Sequence, residues 1–477
     1  MSSFVKIVVI LLLIQTNTIS QTNEKPLPKT VEYRLDLKID YKLEKLFCHC
    51  DLTLLNASNQ PLEQIPLLLY RLLTIKSVKN KNDKDIPFTQ KVLSIAGWEK
   101  VQVNVITISL NSRINPGERR TIHLEYEGHI LGYVETGWRY VKDHIDEEFT
   151  IMRTDGFGYP IVGYPTENDM MAIVKERYHY FLDVAVPDGL IVANGGQLIK
   201  KKKHDGVTTF SYKSIKPSWR IDIAIADFRV LEKIDSKVFY FLQDSVGARN
   251  IMQAMGRSLT LYTEWFGPLH DYRGYTIIEV PKGYGGQADV TSILLPADNF
   301  ENTETYHGIY HELSHQWNVK PLDPRPCRFQ SEGLAQFLQY LVSEKLNHEE
   351  HAISEAADRY MKRFQEACLK NPKYKTIPMK DYGIQDMTDY SYTNGMICFA
   401  IFYEIVGAEQ FNKIIGSFYS EYRSRGATLE DFINHCKKNA SMDLNRFYND
   451  WIYTTKAIDF IIEGKTFEEL IDLYTNE

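Results

Sequence analysis

Cysteine, charge of one sign and long apolar runs are all scarce in this sequence of 477 residues. Its 6 cysteines are too few to be the scaffold of so long a chain, and no C-x-x-C pair suggests a thiolate metal site. The formal net charge of -7 is small for this length, so neither nucleic acid nor another polyionic partner is expected. After the N-terminal segment, no apolar run reaches the roughly 20 residues that span a bilayer.

The first twenty residues have the pattern of a signal peptide. Lys6 precedes an apolar run from Ile7 to Ile14, and polar and small residues follow up to Ser20. This pattern predicts a secreted, periplasmic or otherwise extracytoplasmic protein. An uncleaved anchor is the alternative, and it too places the folded part outside the cytoplasm. The cysteines are then expected to be buried or disulfide-bonded, with no pairing assigned.

Two kinds of hydrophobic pattern divide the rest of the chain. Apolar residues alternate with polar ones from Val31 to Tyr41, and this strand pattern recurs up to about residue 243. Helical spacing dominates afterwards, and helices are predicted for about 304–318, 331–347, 352–369, 392–406, 408–423 and 428–439. The predicted fold is α+β, with a signal peptide (1–20), an antiparallel β-sandwich or saddle domain (21–243) and a mostly α-helical domain (244–477).

The segment His311-Glu312-Leu313-Ser314-His315 carries the strongest chemical signal. Two histidines four residues apart on a helix project from one face, so both rings can bind one metal ion. Glu332, in Ser331-Glu332-Gly333, is the natural third ligand. Zinc with three protein ligands keeps a position for water, and Glu312 suits the base that takes the proton of that water. The alternative is an exposed helix with solvated polar side chains.

These motifs resemble those of the aminopeptidase N-like zinc metallopeptidases, the gluzincins. The segment from His311 to Trp317 is similar to the family's H-E-L-x-H-Q-W, and Ser331-Glu332-Gly333 is similar to its N-E-G. The resemblance implies a thermolysin-like catalytic domain with one zinc ion per chain. It also implies a short form without the family's large helical C-terminal domain. A similarity of Trp317 to Lys320 to the glycyl aminopeptidases ranks second.

Tyr392 is the candidate for a second catalytic role. Tyr392-Thr393-Asn394-Gly395 stands where the family has Y-x-K-G. The resemblance implies that this tyrosine opens a helix and that its hydroxyl stabilises the oxyanion formed on the scissile carbonyl. Because the chain has 30 tyrosines, a buried structural tyrosine is the alternative.

The sequence departs from the family at the predicted substrate-binding loop. The family's G-x-M-E-N motif, whose glutamate holds the free amino terminus of the substrate, is replaced by residues with alanine at the carboxylate position. Asp289 and a β-domain residue such as Asp155 are candidates for the missing charge. The predicted substrate contacts are Gly285, Gly286, Gln287 and Asp289, and an ordinary glycine turn is the alternative.

A second departure concerns the loop before Glu332. Sixteen residues separate His315 from Glu332, against the family's usual eighteen. The connecting loop must therefore turn back more sharply, and its proline-rich composition makes this feasible.

The predicted function is a zinc-dependent metallopeptidase, aminopeptidase-like, with a peptide substrate. Loss of the amino-binding glutamate leaves open a peptidase that accepts blocked or longer peptides. A non-catalytic secreted zinc-binding protein is the alternative from another class. Glu312 is evidence against it, because a structural zinc site has four protein ligands and no use for a base. Residue preference and oligomeric state are not predicted.

Overall fold

The computed structural model describes residues 26–138, 140–173, 176–233, 236–269, 275–301, 306–385 and 387–475. The predicted signal peptide lies outside these described residues. Within them, no helix combines the length and the apolar character needed to cross a membrane.

Nineteen strands occupy the described chain, mostly in its first half. They are β1 (Lys29–Asp40), β2 (Lys45–Leu55), β3 (Leu62–Tyr70), β4 (Leu73–Asn80), β5 (Phe88–Ile95), β6 (Trp98–Ile114), β7 (Arg119–Gly128), β8 (Thr150–Met152), β9 (Ile161–Val162), β10 (His179–Pro187), β11 (Ile191–Ala193), β12 (Gln197–His204), β13 (Val207–Lys213), β14 (Ile223–Ala226), β15 (Arg229–Lys233), β16 (Ser236–Tyr240), β17 (Tyr275–Val280), β18 (Gln287–Ala288) and β19 (Ser292–Pro296).

Helices dominate the second half of the described chain. They are α1 (Glu167–Ile173), α2 (Ser245–Phe266), α3 (Asp298–Glu301), α4 (His307–Ser314), α5 (Leu334–Asn347), α6 (Ala352–Lys370), α7 (Thr388–Val406), α8 (Ala408–Tyr422), α9 (Leu429–Asn439), α10 (Asn445–Tyr448), α11 (Lys456–Ile462) and α12 (Phe467–Thr475).

Three sheets form the β half. A seven-stranded sheet has the order β12-β13-β10-β1-β2-β7-β4, and it is antiparallel except where β1 pairs with β10. A four-stranded sheet (β5-β6-β3-β9) and a three-stranded sheet (β11-β14-β8) complete the half. Along β1, the residues from Tyr33 to Ile39 are buried alternately, as the strand pattern predicts, because one face of the sheet covers the core.

A five-stranded sheet connects the two halves, in the order β15-β16-β17-β19-β18. The strands β15 and β16 precede residue 243, yet β16 pairs in parallel with β17, which lies beyond it. The domain boundary at 243 stays a prediction. This sheet matters for function because the segment that leaves β17 reaches β18 beside α4.

The helical half packs around α7, which is hydrophobic on all sides and buried without interruption from Thr393 to Phe402. The helix α5 buries Leu334, Phe337, Leu338 and Leu341 against the same core, as their spacing predicts. The predicted α+β class, with β-sheets followed by a mostly helical half, is thus confirmed. All six cysteines are buried and free in this fold, which matches the buried alternative and not the disulfide-bonded one.

Two helix predictions need correction. The helix that carries Tyr392 begins at Thr388, so Tyr392 lies in its second turn and does not open it. The predicted helix over 331–347 begins instead as a π-helix at Phe329–Gly333 and becomes α-helical only at Leu334. Periodicity did not reveal either start, because the earlier turn of α7 is polar and a π-turn has no 3.6-residue repeat.

Candidate metal centre

Three side chains converge at the end of α4. His311 lies in this helix, His315 begins a 3-10 turn (His315–Trp317) that continues it, and Glu332 lies in the π-helix. Nε2 of His311 is 3.4 Å and Nε2 of His315 is 3.5 Å from Oε2 of Glu332. In the described part of the chain, these three side chains form a group whose ligand atoms lie within 4.8 Å of one another, close enough to hold one ion.

The separations fit zinc. Zinc bound to nitrogen and oxygen at about 2.0–2.1 Å in a tetrahedron places its ligand atoms about 3.3–3.4 Å apart. The two measured distances, 3.4 Å and 3.5 Å, agree with that spacing. Two imidazoles and one carboxylate are also a donor set typical of catalytic zinc. The three predicted ligands are therefore brought together in a geometry that would hold the ion.

Neighbouring residues orient the C-terminal end of the histidine helix. Nδ1 of His315 lies 2.7 Å from the side-chain amide of Asn318, so Nε2 is left to face Glu332. When Nε2 binds a metal, Nδ1 carries the proton, and the Asn318 amide, turned so that its oxygen faces Nδ1, would accept a hydrogen bond from it. Trp317 Nε1 donates to the carbonyl of Gly267, and Gln316 Nε2 donates to the backbone carbonyl of Asp289. The Q-W extension of the motif thus fastens α4 to α2 and to the strand beside it.

Two motif glycines allow Glu332 and Tyr392 to approach. A Cβ atom on Gly333 would lie 2.7 Å from Cα of Gly395, and one on Gly395 would lie 2.8 Å from Cα of Gly333. Real Cβ atoms do not approach so closely, so the π-helix and α7 can cross here only because both positions lack a side chain. The glycines that end the S-E-G and Y-T-N-G segments therefore serve this crossing.

Glu312 lies on the adjoining edge of α4, next to the predicted substrate-binding loop (residues 285–289). A Cβ on Gly286 would be 3.0 Å from Oε1 of Glu312, so the loop backbone passes directly over this carboxylate. Burial raises the pKa of Glu312 to about 7, with a smaller contribution from the negative charge of Glu332. A carboxylate that titrates near neutral pH can both accept and donate a proton there.

Tyr392 stands on the other side of the metal centre. Its ring is parallel to that of His311, with centroids 6.1 Å apart, and the guanidinium of Arg328 lies 5.6 Å from its centroid. Burial, followed by the charge of Glu332, raises the pKa of Tyr392 well above its usual value. The hydroxyl therefore stays protonated and remains a hydrogen-bond donor across the pH range in which proteins fold.

A buried network, here called the arginine cluster, surrounds Gln287 of the predicted substrate-binding loop. Its members are Asp143, Arg153, Asp155, Arg220, Asp222 and Gln287. Nη1 of Arg153 and Nη2 of Arg220 donate to Oε1 of Gln287 over 3.0 Å and 2.7 Å, and Nε2 of Gln287 donates to Asp155 over 3.2 Å. The side chain of Asp155 keeps 19% of its surface exposed, whereas those of Arg153 and Arg220 are buried.

The two candidate carboxylates for the missing charge differ in placement. Asp289 is 6% exposed, and its carboxylate accepts from the hydroxyl of Ser218 over 2.6 Å, inside the protein. Burial raises its pKa to about 6. Asp155 is partly exposed, and although burial opposes its ionisation, the charges of Arg220 and Arg153 hold its pKa below the usual value. We therefore leave Asp289 out of the proposed substrate contacts and retain Asp155.

The family comparison agrees with this centre. Residues 290–451 match the model of the peptidase family M1 domain, and they include His311, His315, Glu332 and Tyr392. This segment is a peptidase family M1 domain. The expected kinship with the aminopeptidase N-like zinc metallopeptidases is confirmed, as are the enzyme class and the zinc cofactor. No curated protein matches the chain.

Solved structures show the same fold. The M1 zinc metallopeptidase from Deinococcus radiodurans is 17% identical, with a TM-score of 0.65, over 89% of this chain and 94% of that one. A variant of that enzyme bound to a Tyr-Ser-Ala substrate is 16% identical, with a TM-score of 0.64 over the same shares. A two-domain M1 zinc metallopeptidase variant bound to L-arginine is 16% identical, with a TM-score of 0.64, over 92% of this chain and 95% of that one. At this level of identity the likeness establishes the fold.

Sequence reasoning missed four residues of the site. Asn318, Arg153, Arg220 and Arg328 each contact a predicted site residue, but no role was predicted for any of them. Asn318 alone had a signal, because it lies three residues after a metal-binding histidine and can face the same side of a helical turn.

Proposed function

We propose that this M1-domain protein is a zinc-dependent peptidase that removes residues from the free amino end of peptides. The convergence of His311, His315 and Glu332 on one point, with the carboxylate of Glu312 beside it, supports the proposal most directly. These residues would hold the ion. A bound zinc ion would supply Lewis acidity, polarising the scissile carbonyl and making water acidic enough to attack near neutral pH.

The protein's own residues would then transfer the protons and stabilise the negative charge that develops on the substrate. Glu312 takes a proton from the attacking water and passes it to the leaving amine, which a carboxylate with a pKa of about 7 can do in both directions. The hydroxyl of Tyr392 donates to the oxyanion as negative charge develops on the carbonyl oxygen. The backbone of Gly285 and Gly286 borders this space, because Gly286 abuts Glu312.

Asp155 is the proposed anchor of the substrate's ammonium group. It combines an ionised state with partial exposure, and Gln287 links it to the loop that passes over Glu312. An ammonium group needs an oxygen acceptor with negative charge, and Ala288 offers none. The ligands bound to the structural relatives, the Tyr-Ser-Ala peptide and L-arginine, both carry a free α-amino group, which supports an amine-directed site here as well.

Cleavage of one peptide in free and N-acetylated forms tests this proposal. We expect the free peptide to be cleaved from its first bond and the acetylated form to be resistant. Asp155→Asn should raise KM for the free peptide by about 10–100-fold, because a hydrogen bond to a charged group contributes about 1.5–3 kcal/mol. Asp205→Asn is the matched control, because Asp205 is exposed in the turn between β12 and β13. This variant should leave KM unchanged.

Equal cleavage of both peptides would reject the aminopeptidase assignment. It would favour a peptidase without a requirement for a free amino terminus, a reading that the alanine at position 288 already motivates. Purified protein with one zinc per chain that cleaved no peptide of a diverse library would instead favour a non-catalytic zinc-binding protein.

The proposed location is outside the cytoplasm. The signal-peptide pattern of residues 1–20 supports it. Expression of the full chain followed by N-terminal sequencing of the exported protein tests it, with Gln21 expected as the first residue. Retention of the intact N-terminus in the cytoplasm would contradict it.

A further inference from the structure

We propose that Arg328 is a positioning residue of the metal centre, which holds one oxygen of Glu332 away from the ion and fixes the ring of Tyr392. This inference rests on the proposed zinc site and assigns a role that the motifs do not carry. Arg328 lies four residues before Glu332, in the loop that the sequence marks as shorter than in the family.

The two oxygens of Glu332 have separate partners. Oε2 faces Nε2 of both His311 and His315, at 3.4 Å and 3.5 Å. Oε1 accepts a hydrogen bond from Nη2 of Arg328. A guanidinium donating to a carboxylate forms a charge-assisted bond. The Arg328 side chain is 42% exposed, but Glu332 is only 9% exposed, so the bond fixes a carboxylate that is itself buried. Glu332 therefore offers one oxygen to the metal.

The division matters because a catalytic zinc site must keep a position open. Three protein ligands leave that position, whereas a carboxylate that turned both oxygens to the ion would compete for it. Partners of this kind commonly tune a metal site as strongly as some ligands do. Arg328 supplies such a partner for Glu332.

Arg328 also contacts the catalytic tyrosine. Its guanidinium lies 5.6 Å from the ring centroid of Tyr392, within the range of a cation–π interaction. The same ring lies parallel to that of His311, with centroids 6.1 Å apart. The position of the Tyr392 hydroxyl is thus coupled, through one guanidinium, to the orientation of Glu332.

The short loop explains why an arginine can reach both groups. Arg328 has a φ of 62°, in the left-handed region, and its carbonyl accepts from the backbone N–H groups of Ser331 and Glu332 over 3.2 Å and 2.8 Å. The chain thus reverses at Arg328 and enters the π-helix at once. This brings the side chains of Arg328 and Glu332 to the same side of one wide turn. A lysine there would keep the charge but lose the planar fork.

Three variants and one control test the role. Arg328→Ala removes the group, Arg328→Lys keeps the charge, and Arg328→Gln keeps a donor without the charge. Arg325→Ala is the matched control, because Arg325 is an exposed arginine of the same loop that bonds to Asn168 and not to the metal centre. Thermal unfolding of the metal-free proteins shows whether each variant is folded.

Two readouts do not depend on peptidase activity. Competition with a chelator should show that Arg328→Ala binds zinc about 10–100-fold more weakly, while Arg325→Ala binds it as the parent does. In the cobalt-substituted protein, visible absorption should weaken in Arg328→Ala, because Oε1 turns to the ion and raises its coordination number. Arg328→Lys should recover most of the zinc affinity and less of the spectrum.

The kinetic readout separates positioning from substrate binding. With a cleavable peptide, kcat of Arg328→Ala should fall by about 10-fold or more with KM nearly unchanged, because the ground-state contacts of the substrate remain. Parental zinc affinity and cobalt spectrum in folded Arg328→Ala and Arg328→Gln would overturn the proposal. If the parent cleaves no peptide, the proposed function fails, but affinity and spectrum still decide the role of Arg328.

Discussion

The metal centre and the arginine cluster both lie near Glu312 and are built in different ways. The metal ligands lie within a segment of 22 residues. Two are on α4 and the 3-10 turn that continues it, and the third is on the π-helix after the connecting loop. The arginine cluster joins Asp155 to Gln287, which are 132 residues apart, through Arg220 from a third segment. One site is a local arrangement, whereas the other exists only when both halves of the chain have folded.

This difference explains which residue types each site can tolerate. The metal site is set by the chemistry of one ion, so its residue types are narrowly limited. The arginine cluster meets a requirement of charge balance and hydrogen bonding, which several combinations of side chains can satisfy. Under the proposed function, an alanine at position 288 is tolerable in such a setting because Asp155, in the turn after β8, can carry the negative charge. Perturbing the two sites separately should therefore give different kinetic results.

The largest expected effect comes from Glu312. It is neither a metal ligand nor a member of the arginine cluster, and it is the proposed general base. Glu312→Gln should lower kcat by about 10²–10⁴-fold, because general acid–base catalysis contributes that much. Zinc content and KM should stay near those of the parent, because the ligands and Asp155 are untouched. Metal analysis and steady-state kinetics check this. Unchanged turnover would show that Glu312 is not the base, and loss of zinc would show that the substitution disturbs the metal site itself.

A smaller effect is expected from the glycine crossing that supports the metal centre. Gly395→Ala should destabilise the protein by about 1–3 kcal/mol and lower kcat, because the new methyl group meets Cα of Gly333 and separates Tyr392 from Glu332. Gly256→Ala on α2, where a Cβ meets nothing within 4 Å, is the matched control. It should stabilise the protein by about 0.5–1 kcal/mol. Denaturant unfolding of both variants checks the opposite signs, and the same sign in both would refute the crossing argument.

The last expected effect is one on stability alone, depends on pH, and concerns the strand that leads to the predicted substrate-binding loop. Glu279 on β17 is fully buried, and burial, followed by its contact with Asp244, raises its pKa to about 9. The pKa of a glutamate in the unfolded chain is near 4.3. Between that pH and pH 9 the folded protein keeps the proton on Glu279 while the unfolded chain releases it, so stability falls as pH rises. The contribution of this group is fully present below about pH 4 and is lost towards pH 9, by at most about 1.4 kcal/mol per pH unit.

Glu279→Gln should therefore be more stable than the parent at pH 8, by a few degrees in Tm, and should approach it at pH 5. The amide can still accept from the backbone N–H of Phe241, which the parent carboxylate binds over 2.7 Å. Glu63→Gln, at an exposed position, is the control and should leave Tm unchanged at both pH values. A variant less stable than the parent at pH 8 would mean that Glu279 is ionised in the fold.

Periodicity and motif spacing predicted the α+β order, the helices of the second half and the three metal ligands. These features depend on neighbours within about one or two turns, which the sequence displays directly. The π-helix at Phe329–Gly333, the early start of α7 and the reach of Arg328 were not predictable in that way. A loop arginine usually lies in solvent, and nothing in its sequence context indicates a carboxylate four residues later as its partner.

The sequence by itself determined the chemistry of this protein, namely which side chains can hold zinc, which can move a proton and which family domain carries them. The tertiary structure decided which of the two candidate carboxylates stays partly exposed with a lowered pKa. Asp155 and Asp289 are equivalent as letters, but burial against Ser218 removes Asp289, whereas two guanidinium groups keep Asp155 ionised beside Gln287. Solvation and the charges of distant neighbours decide such a choice, and only the folded chain brings those neighbours together.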